Sequence, residues 1–109
     1  MTEITLFYQE KKLVGIESRG HSGYSEKGSD IICAAVSALM QALVLGIMNV
    51  AKLDSVICNM NSKVPLIKII WQKKFSDKVS LLTKTIVLSL KQIENENPGY
   101  IKINTEEKL

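Results

Sequence analysis

Cysteine, histidine, proline and aromatic residues are all scarce in this sequence. Its 109 residues contain two cysteines, two prolines and one histidine, and only 6% of them are aromatic. Two cysteines allow one disulfide at most, too few for the cross-linked frame of a small secreted domain. Neither belongs to a Cys-x-x-Cys pair, and His21, Cys33 and Cys58 follow no metal-ligand spacing. No metal and no cofactor is therefore expected. Massed basic charge is missing as well. The 14 Lys and Arg against 11 Asp and Glu leave a net +3, but the lysines are scattered, with only Lys11-Lys12 and Lys73-Lys74 side by side. Nucleic-acid sites cluster their basic residues, so the charge reads as a solvated surface and no direct nucleic-acid partner is expected. The first residues, Met-Thr-Glu-Ile-Thr-Leu-Phe-Tyr, lack the charged-then-apolar layout of a signal peptide, which makes the cytoplasm the expected location.

Apolar residues are plentiful. At 46% hydrophobic, the chain can fill one core without disulfides or metal, and residues 1–109 read as a single domain with no linker or repeat. The longest apolar run, Ile31 to Val50, approaches the ~20 residues of a membrane span. It contains Ser37, Gln41, Gly46 and Asn49 and has no aromatic or basic flank, so a buried core helix is the expectation and a membrane is not.

Alternating residues predict a strand over 3–9 and a second from Leu13 to Arg19, joined by the polar turn Glu10-Lys11-Lys12 as an antiparallel hairpin. In the second strand, Val14 and Ile16 are expected on one face, with Gly15 and Glu17 on the other. Ser29 is the expected cap of a helix of about twenty residues. That helix is apolar nearly all round, so sheet should cover one side and a helix or partner subunit the other. Asp54 to Met60 and Val64 to Trp71 read as strands around Asn61-Ser62-Lys63, with Pro65 unpaired at a strand start. Ser76 to about Glu96 reads as a helix with a single stripe, Val79, Leu82, Ile86, Leu90 and Ile93, stopped by Asn97-Pro98-Gly99. Tyr100 to Asn104 is the last expected strand, and Thr105 to Leu109 a charged tail. The order ββαββαβ predicts an α+β fold with a largely antiparallel sheet, a buried central helix and a second amphipathic helix.

The chemistry-bearing residues gather in residues 19–37, between the second strand and the first helix. This stretch holds His21, Cys33 and three of the six glycines, Gly20, Gly23 and Gly28. At a helix start, unpaired amides and the positive dipole end lower a thiol pKa and can hold an oxyanion. Cys33 thus reads either as an activated nucleophile or as a small hydrophobe packed under the sheet. His21 is either the other half of a Cys-His dyad or a solvated loop histidine. Asp30 and Ser37 stand three before and four after Cys33, on the same helical face. Asp30 either orients the imidazole or meets the helix dipole; Ser37 either donates to substrate or bonds back to the Cys33 carbonyl. A phosphate loop is excluded, because Ser29-Asp30 follows Gly28 where Lys-Ser/Thr would be needed. Cys58, between Ile57 and Asn59 in a strand, reads as a packed core residue.

Gly20-His21-Ser22-Gly23-Tyr24, then Gly28, Asp30 and Cys33-Ala34-Ala35-Val36-Ser37, closely resembles the Prp family, the ribosomal-processing cysteine proteases. Members read Gly-His-Ala-Gly-Tyr-Ala, a short insert, Gly-x-Asp, two apolar residues and Cys-Ala-Ala-x-Ser; Ser22 and Ser25 here stand where alanine is frequent. The resemblance runs the whole length of the chain. It implies His21 as general base and Cys33 as nucleophile, supported by Asp30, Ser37, Gly20, Gly23 and Gly28, and it implies a homodimer. It also implies a substrate: a large-subunit ribosomal protein whose short N-terminal extension is removed next to an aromatic pair. Tyr24 is the candidate contact for those aromatics, on a loop from Gly20 to Gly28 expected to act as a substrate-ordered gate. The alternative is a non-catalytic ribosome-associated binding module in which His21 and Cys33 are incidental.

Overall fold

The computed structural model describes residues 1–20 and 30–108. Strands β1 (Thr2–Gln9), β2 (Lys12–Arg19), β3 (Ile57–Asn61), β4 (Leu66–Ile70) and β5 (Ile101–Glu107) form one sheet in the order β3-β4-β2-β1-β5. Every pairing is antiparallel except β1 with β5. Helix α1 (Ile31–Leu45), prolonged by a wider π-type turn over Gly46–Val50, carries the chain from β2 to β3. Helix α2 (Ser80–Glu96) carries it from β4 to β5, so the mixed α+β order ββαββαβ holds. Parallel β5 follows from that long crossover, which lets the last strand enter beside the first in the same direction.

The β1–β2 turn consists of Glu10 and Lys11, both at positive φ (49° and 68°), the sign that matches the twist of a two-residue hairpin. Neither residue is glycine, and two exposed ion pairs flank this corner: Glu10 meets Lys73, and Lys12 meets Asp77 at 2.7 Å. Beside it the register shifts. Phe7 faces Gly15 but Tyr8 faces Leu13, which leaves Val14 unopposed in a bulge. The expectation that Val14 and Ile16 share a face is therefore corrected. Ile16 joins the main core, while Val14 packs with Phe7 and Ile70 on the opposite side of the sheet. Gly15 is required there, because a Cβ on it would lie 2.3 Å from Ile70 Cδ1 and 2.8 Å from the Ile69 carbonyl.

Both helices cover one face of the sheet. Ile4, Leu6, Ile16, Ile67, Ile69 and Ile101 rise from it to meet Val36, Met40, Leu43 and Ile47 of the first helix and Ile86, Val87 and Leu90 of the second. Burying a side chain of this size contributes about 1.5–3 kcal/mol, so these rows are the main source of stability. The helices touch closely at Gly46, where a Cβ would stand 2.3 Å from Leu82 Cδ2. The segment Ile31–Val50 is 20 residues long and apolar enough to cross a membrane, but Ile32, Val36, Met40, Leu43 and Ile47 are core residues here. Its outer stripe, including Ile31 and Leu45, is exposed.

Four other boundaries differ from expectation. β4 is Leu66–Ile70 rather than Val64 to Trp71, which leaves Val64 and Pro65 in the turn before it. β3 begins at Ile57 rather than Asp54, because Ser55 takes a positive φ of 57° that no strand tolerates. α2 begins at Ser80; the chain from Lys73 to Val79 first makes a tight 3₁₀ turn and further turns, pinned where Trp71 Nε1 and Ser76 Oγ donate to the Leu13 carbonyl. β5 runs on to Glu107, since β1 offers paired backbone as far as Tyr8, so most of the expected charged tail is strand.

Candidate active site

Where β2 ends, Gly20 turns the chain with φ 85°, a conformation that favours glycine. Its N–H donates to the Pro65 carbonyl at 2.9 Å, tying the end of β2 to the β3–β4 turn. The chain is next described at Asp30, which is extended (φ −77°, ψ 99°) and caps α1. Its carboxylate accepts the Cys33 N–H at 2.9 Å, and its carbonyl accepts the Ala34 N–H at 3.0 Å. The cap is thus Asp30 and not the expected Ser29: the aspartate oxygen reaches the third amide of the helix, the geometry that makes aspartate a strong cap.

This cap changes the electrostatics expected of Cys33. Its amide is committed to Asp30 and is not spare for an oxyanion. Among the described residues the thiol is held protonated: burial pushes its pKa above the ordinary 9.0, and the Asp30 carboxylate pushes it further. The expectation that the helix start lowers this pKa is corrected on that count, because a buried anion at the cap opposes the dipole.

Cys33 opens onto a cavity of about 490 Å³ between α1 and the end of the sheet. Cys33, Val36, Ser37 and Gln41 form the helical wall; Thr2, Ser18 and Ile67 form the floor, and Met60, Asn61, Ser62 and Pro65 the rim. Ser18 and Thr2 are buried, so the floor is apolar with two hydroxyls in it. Thr2 Oγ1 donates to the Gly20 carbonyl at 3.4 Å. A cavity of this size, largely apolar with a few convergent polar groups, is the usual form of a binding site. The Ser37 hydroxyl accepts from Gln41 Nε2 at 2.9 Å, and among the described residues it makes no bond back to the Cys33 carbonyl.

Of the residues singled out in the sequence, the structure brings Gly20, Cys33 and Ser37 to this cavity and places Asp30 beneath Cys33. His21, Gly23, Tyr24, Gly28 and Ser29, with most of the expected gate, lie outside the described residues. Cys58 is half-buried on the edge strand β3, outside both core clusters, which corrects the expectation of a packed core residue, and it is not part of the wall. Sequence reasoning missed Thr2, Ser18, Gln41 and the Asn61–Ser62 rim. Gln41 was within reach, since it stands eight residues after Cys33 and so on its face of the helix; the others arrive through strand pairing, which leaves no local signal. Among the described residues, no group of three or more potential ligands is placed to hold a metal.

The model of the family described as "Cysteine protease Prp" matches residues 1–102. The ribosomal processing cysteine protease Prp of Mycoplasma genitalium is 33% identical over 92 residues, covering 82% of this chain and 85% of that protein. Among solved structures, the Prp ribosomal processing protease of S. aureus with a covalently linked product peptide superposes with a TM-score of 0.83 at 26% identity, over 97% of this chain and all of that one. SMU.848 of Streptococcus mutans superposes with a TM-score of 0.82 at 28% identity, over 99% and 96% of the two chains. A match across nearly the whole length, with a cysteine at the mouth of a peptide-sized cavity, leaves one conclusion: this chain belongs to the Prp family of ribosomal-processing cysteine proteases and is a cysteine peptidase.

Proposed function

We propose that the protein removes a short N-terminal extension from a large-subunit ribosomal protein, using Cys33 as nucleophile and His21 as general base. The observation that carries this reading is Cys33 in the first turn of α1, facing the cavity, in a chain of this family. A thiol held protonated by burial and by Asp30 needs a base to take its proton during attack, which is the part assigned to His21. The sulfur adds to the scissile carbonyl carbon as the proton passes to the imidazole. The C–N bond then breaks, the amine leaves with that proton, and a thioester remains on Cys33. Water, deprotonated by the imidazole, hydrolyses it and restores the thiol. The covalently linked product in the S. aureus protein is what such a route produces.

We place this activity in the cytoplasm, where ribosomal proteins are made and free thiols persist, and in a homodimer. The dimer is supported by the outer stripe of α1, where exposed Ile31, Ala34, Ala35, Ala38, Ala42 and Leu45 carry no charge. Light scattering should give about twice 12.1 kDa; a particle of single-chain mass throughout would contradict this. For the activity, a panel of peptides carrying the extension and its aromatic cleavage segment should be cut at one bond. Binding without cleavage by the wild-type protein would instead favour a ribosome-associated binding module.

A further inference from the structure

Helix α1 gives every polar side chain it has between Ile31 and Met48 to a single cavity. Apart from the Cys33 thiol, those side chains are Ser37 and Gln41, and all three line the same wall. Gln41 is exposed and takes no part in the core, so the question is what its carboxamide serves at the cavity. Three residues spaced by four form a row along one side of the helix. With a rise of 1.5 Å per residue, the row from Cys33 to Gln41 is about 12 Å long. An extended peptide advances ~3.3 Å per residue, so a chain lying along this row reaches Gln41 about three to four residues from the bond at Cys33.

The hydrogen bonding within the row has a direction. Elsewhere in the protein, helical hydroxyls turn back on their own backbone: Thr85 donates to the Leu81 carbonyl at 2.6 Å and Ser89 to the Thr85 carbonyl at 2.8 Å. Ser37 is held differently, because Gln41 Nε2 donates to its oxygen. The hydroxyl proton is thereby free to point at an acceptor in the cavity, and a donor that is itself accepting is a stronger donor. With one N–H given to Ser37, the Gln41 carboxamide keeps an oxygen acceptor and a second N–H, the same pair of groups that a peptide main chain presents. Across the cavity stand Asn61, the last residue of β3, and Ser62 of the turn after it, so a chain on the row has polar groups on both sides.

We propose that Gln41 is a substrate-positioning residue: its carboxamide holds the main chain of an extended peptide three to four residues from the bond that Cys33 attacks, and it aims the Ser37 hydroxyl at a nearer carbonyl. This rests on the proteolytic reading above and adds a place along the substrate that the reading does not assign. Holding the backbone rather than a side chain, Gln41 fixes register and tolerates variation at that substrate position.

The test compares two peptides with the same scissile bond, one extending five residues to each side and one extending two. Gln41→Ala should lower kcat/KM on the long peptide by about tenfold, mainly through KM, the effect of one or two neutral hydrogen bonds. On the short peptide, which reaches Ser37 but not Gln41, only the aim of the Ser37 hydroxyl is lost, so the loss should be smaller, about two- to threefold. Iodoacetamide should modify Cys33 at the wild-type rate in Gln41→Ala, since the residue is exposed and remote from the sulfur. Equal losses on the two peptides, or no loss on either, overturn the proposal. A second arm measures binding of the fluorescently labelled long peptide to Cys33→Ala and to Cys33→Ala/Gln41→Ala. If the wild-type protein cleaves neither peptide, the proteolytic reading fails, and this arm still decides: weaker binding in the double variant supports the role of Gln41, while equal or undetectable binding overturns it.

Discussion

The start of α1 and the middle of β3 each hold one cysteine, and in bulk properties the two residues are alike. Neither Cys33 nor Cys58 is in a disulfide, both are half-buried, and burial raises the thiol pKa of each. Their surroundings differ. Cys58 lies on the edge strand β3 opposite Ile69 and does not line the cavity that Cys33 opens onto. Cys33 lies in the first turn of a helix, above a buried aspartate that holds its amide, at the wall of a cavity of about 490 Å³. Exposure and acidity do not separate the proposed nucleophile from a half-buried strand thiol here. What separates them is whether the backbone around the sulfur leaves room for a second chain.

The largest effect that bears on this comparison is on turnover. Cys33→Ala should reduce peptide cleavage by on the order of 10³-fold or more, the scale on which enzymes lose a nucleophile. Cys58→Ala should leave cleavage within about twofold, since Cys58 does not line the cavity. Its cost should appear in stability instead, about 1 kcal/mol for shrinking a half-buried side chain, read as a drop in Tm of several degrees. Comparable loss of turnover in both variants would erase the distinction.

A smaller effect sharpens it. Asp30→Asn keeps an oxygen to cap the Cys33 amide but removes the charge that raises the thiol pKa. The pH midpoint of Cys33 alkylation should therefore move down, while that of Cys58, raised by burial, stays where it is. Asp30→Ala should shift it similarly and lose about 1 kcal/mol of stability with the cap.

The smallest effect concerns pH and stability. Both thiols have folded-state pKa values above the ordinary 9.0. Each then contributes fully below that pH, and the contribution is lost as pH rises through the folded value, because the unfolded chain ionises first. Chemical denaturation across pH 8 to 11 should show a shallower decline in Cys58→Ala than in the wild type. A parallel decline would mean that Cys58 is not desolvated by the fold.

How much of this was legible follows from where each signal resides. The five strands and two helices were visible because the alternation in β1 and the stripe Val79–Ile93 are local patterns, and the Asn97-Pro98-Gly99 stop needs no tertiary context. The bulge at Val14 was not visible: a strand does not record which partner residue it faces, so one unopposed residue reversed the expected face. Asp30 was chosen as a site residue but not as the cap, since Ser29 and Asp30 are both good capping types and only the backbone decides between them. The cavity floor was hidden for a related reason. Thr2 and Ser18 lie far from Cys33 in sequence and meet it through strand pairing, whereas Ser37 shares its helix and could be read from spacing.

The most direct test of the central claim is a chemical one. The wild-type protein is mixed with a cleavable peptide, quenched in acid within the first turnover and digested for mass spectrometry. The account predicts a thioester adduct carrying the N-terminal part of the peptide on Cys33, absent from Cys58 and absent in Cys33→Ala. Peptide turnover that continues in Cys33→Ala, or an adduct on any other residue of the wild-type protein, would contradict it.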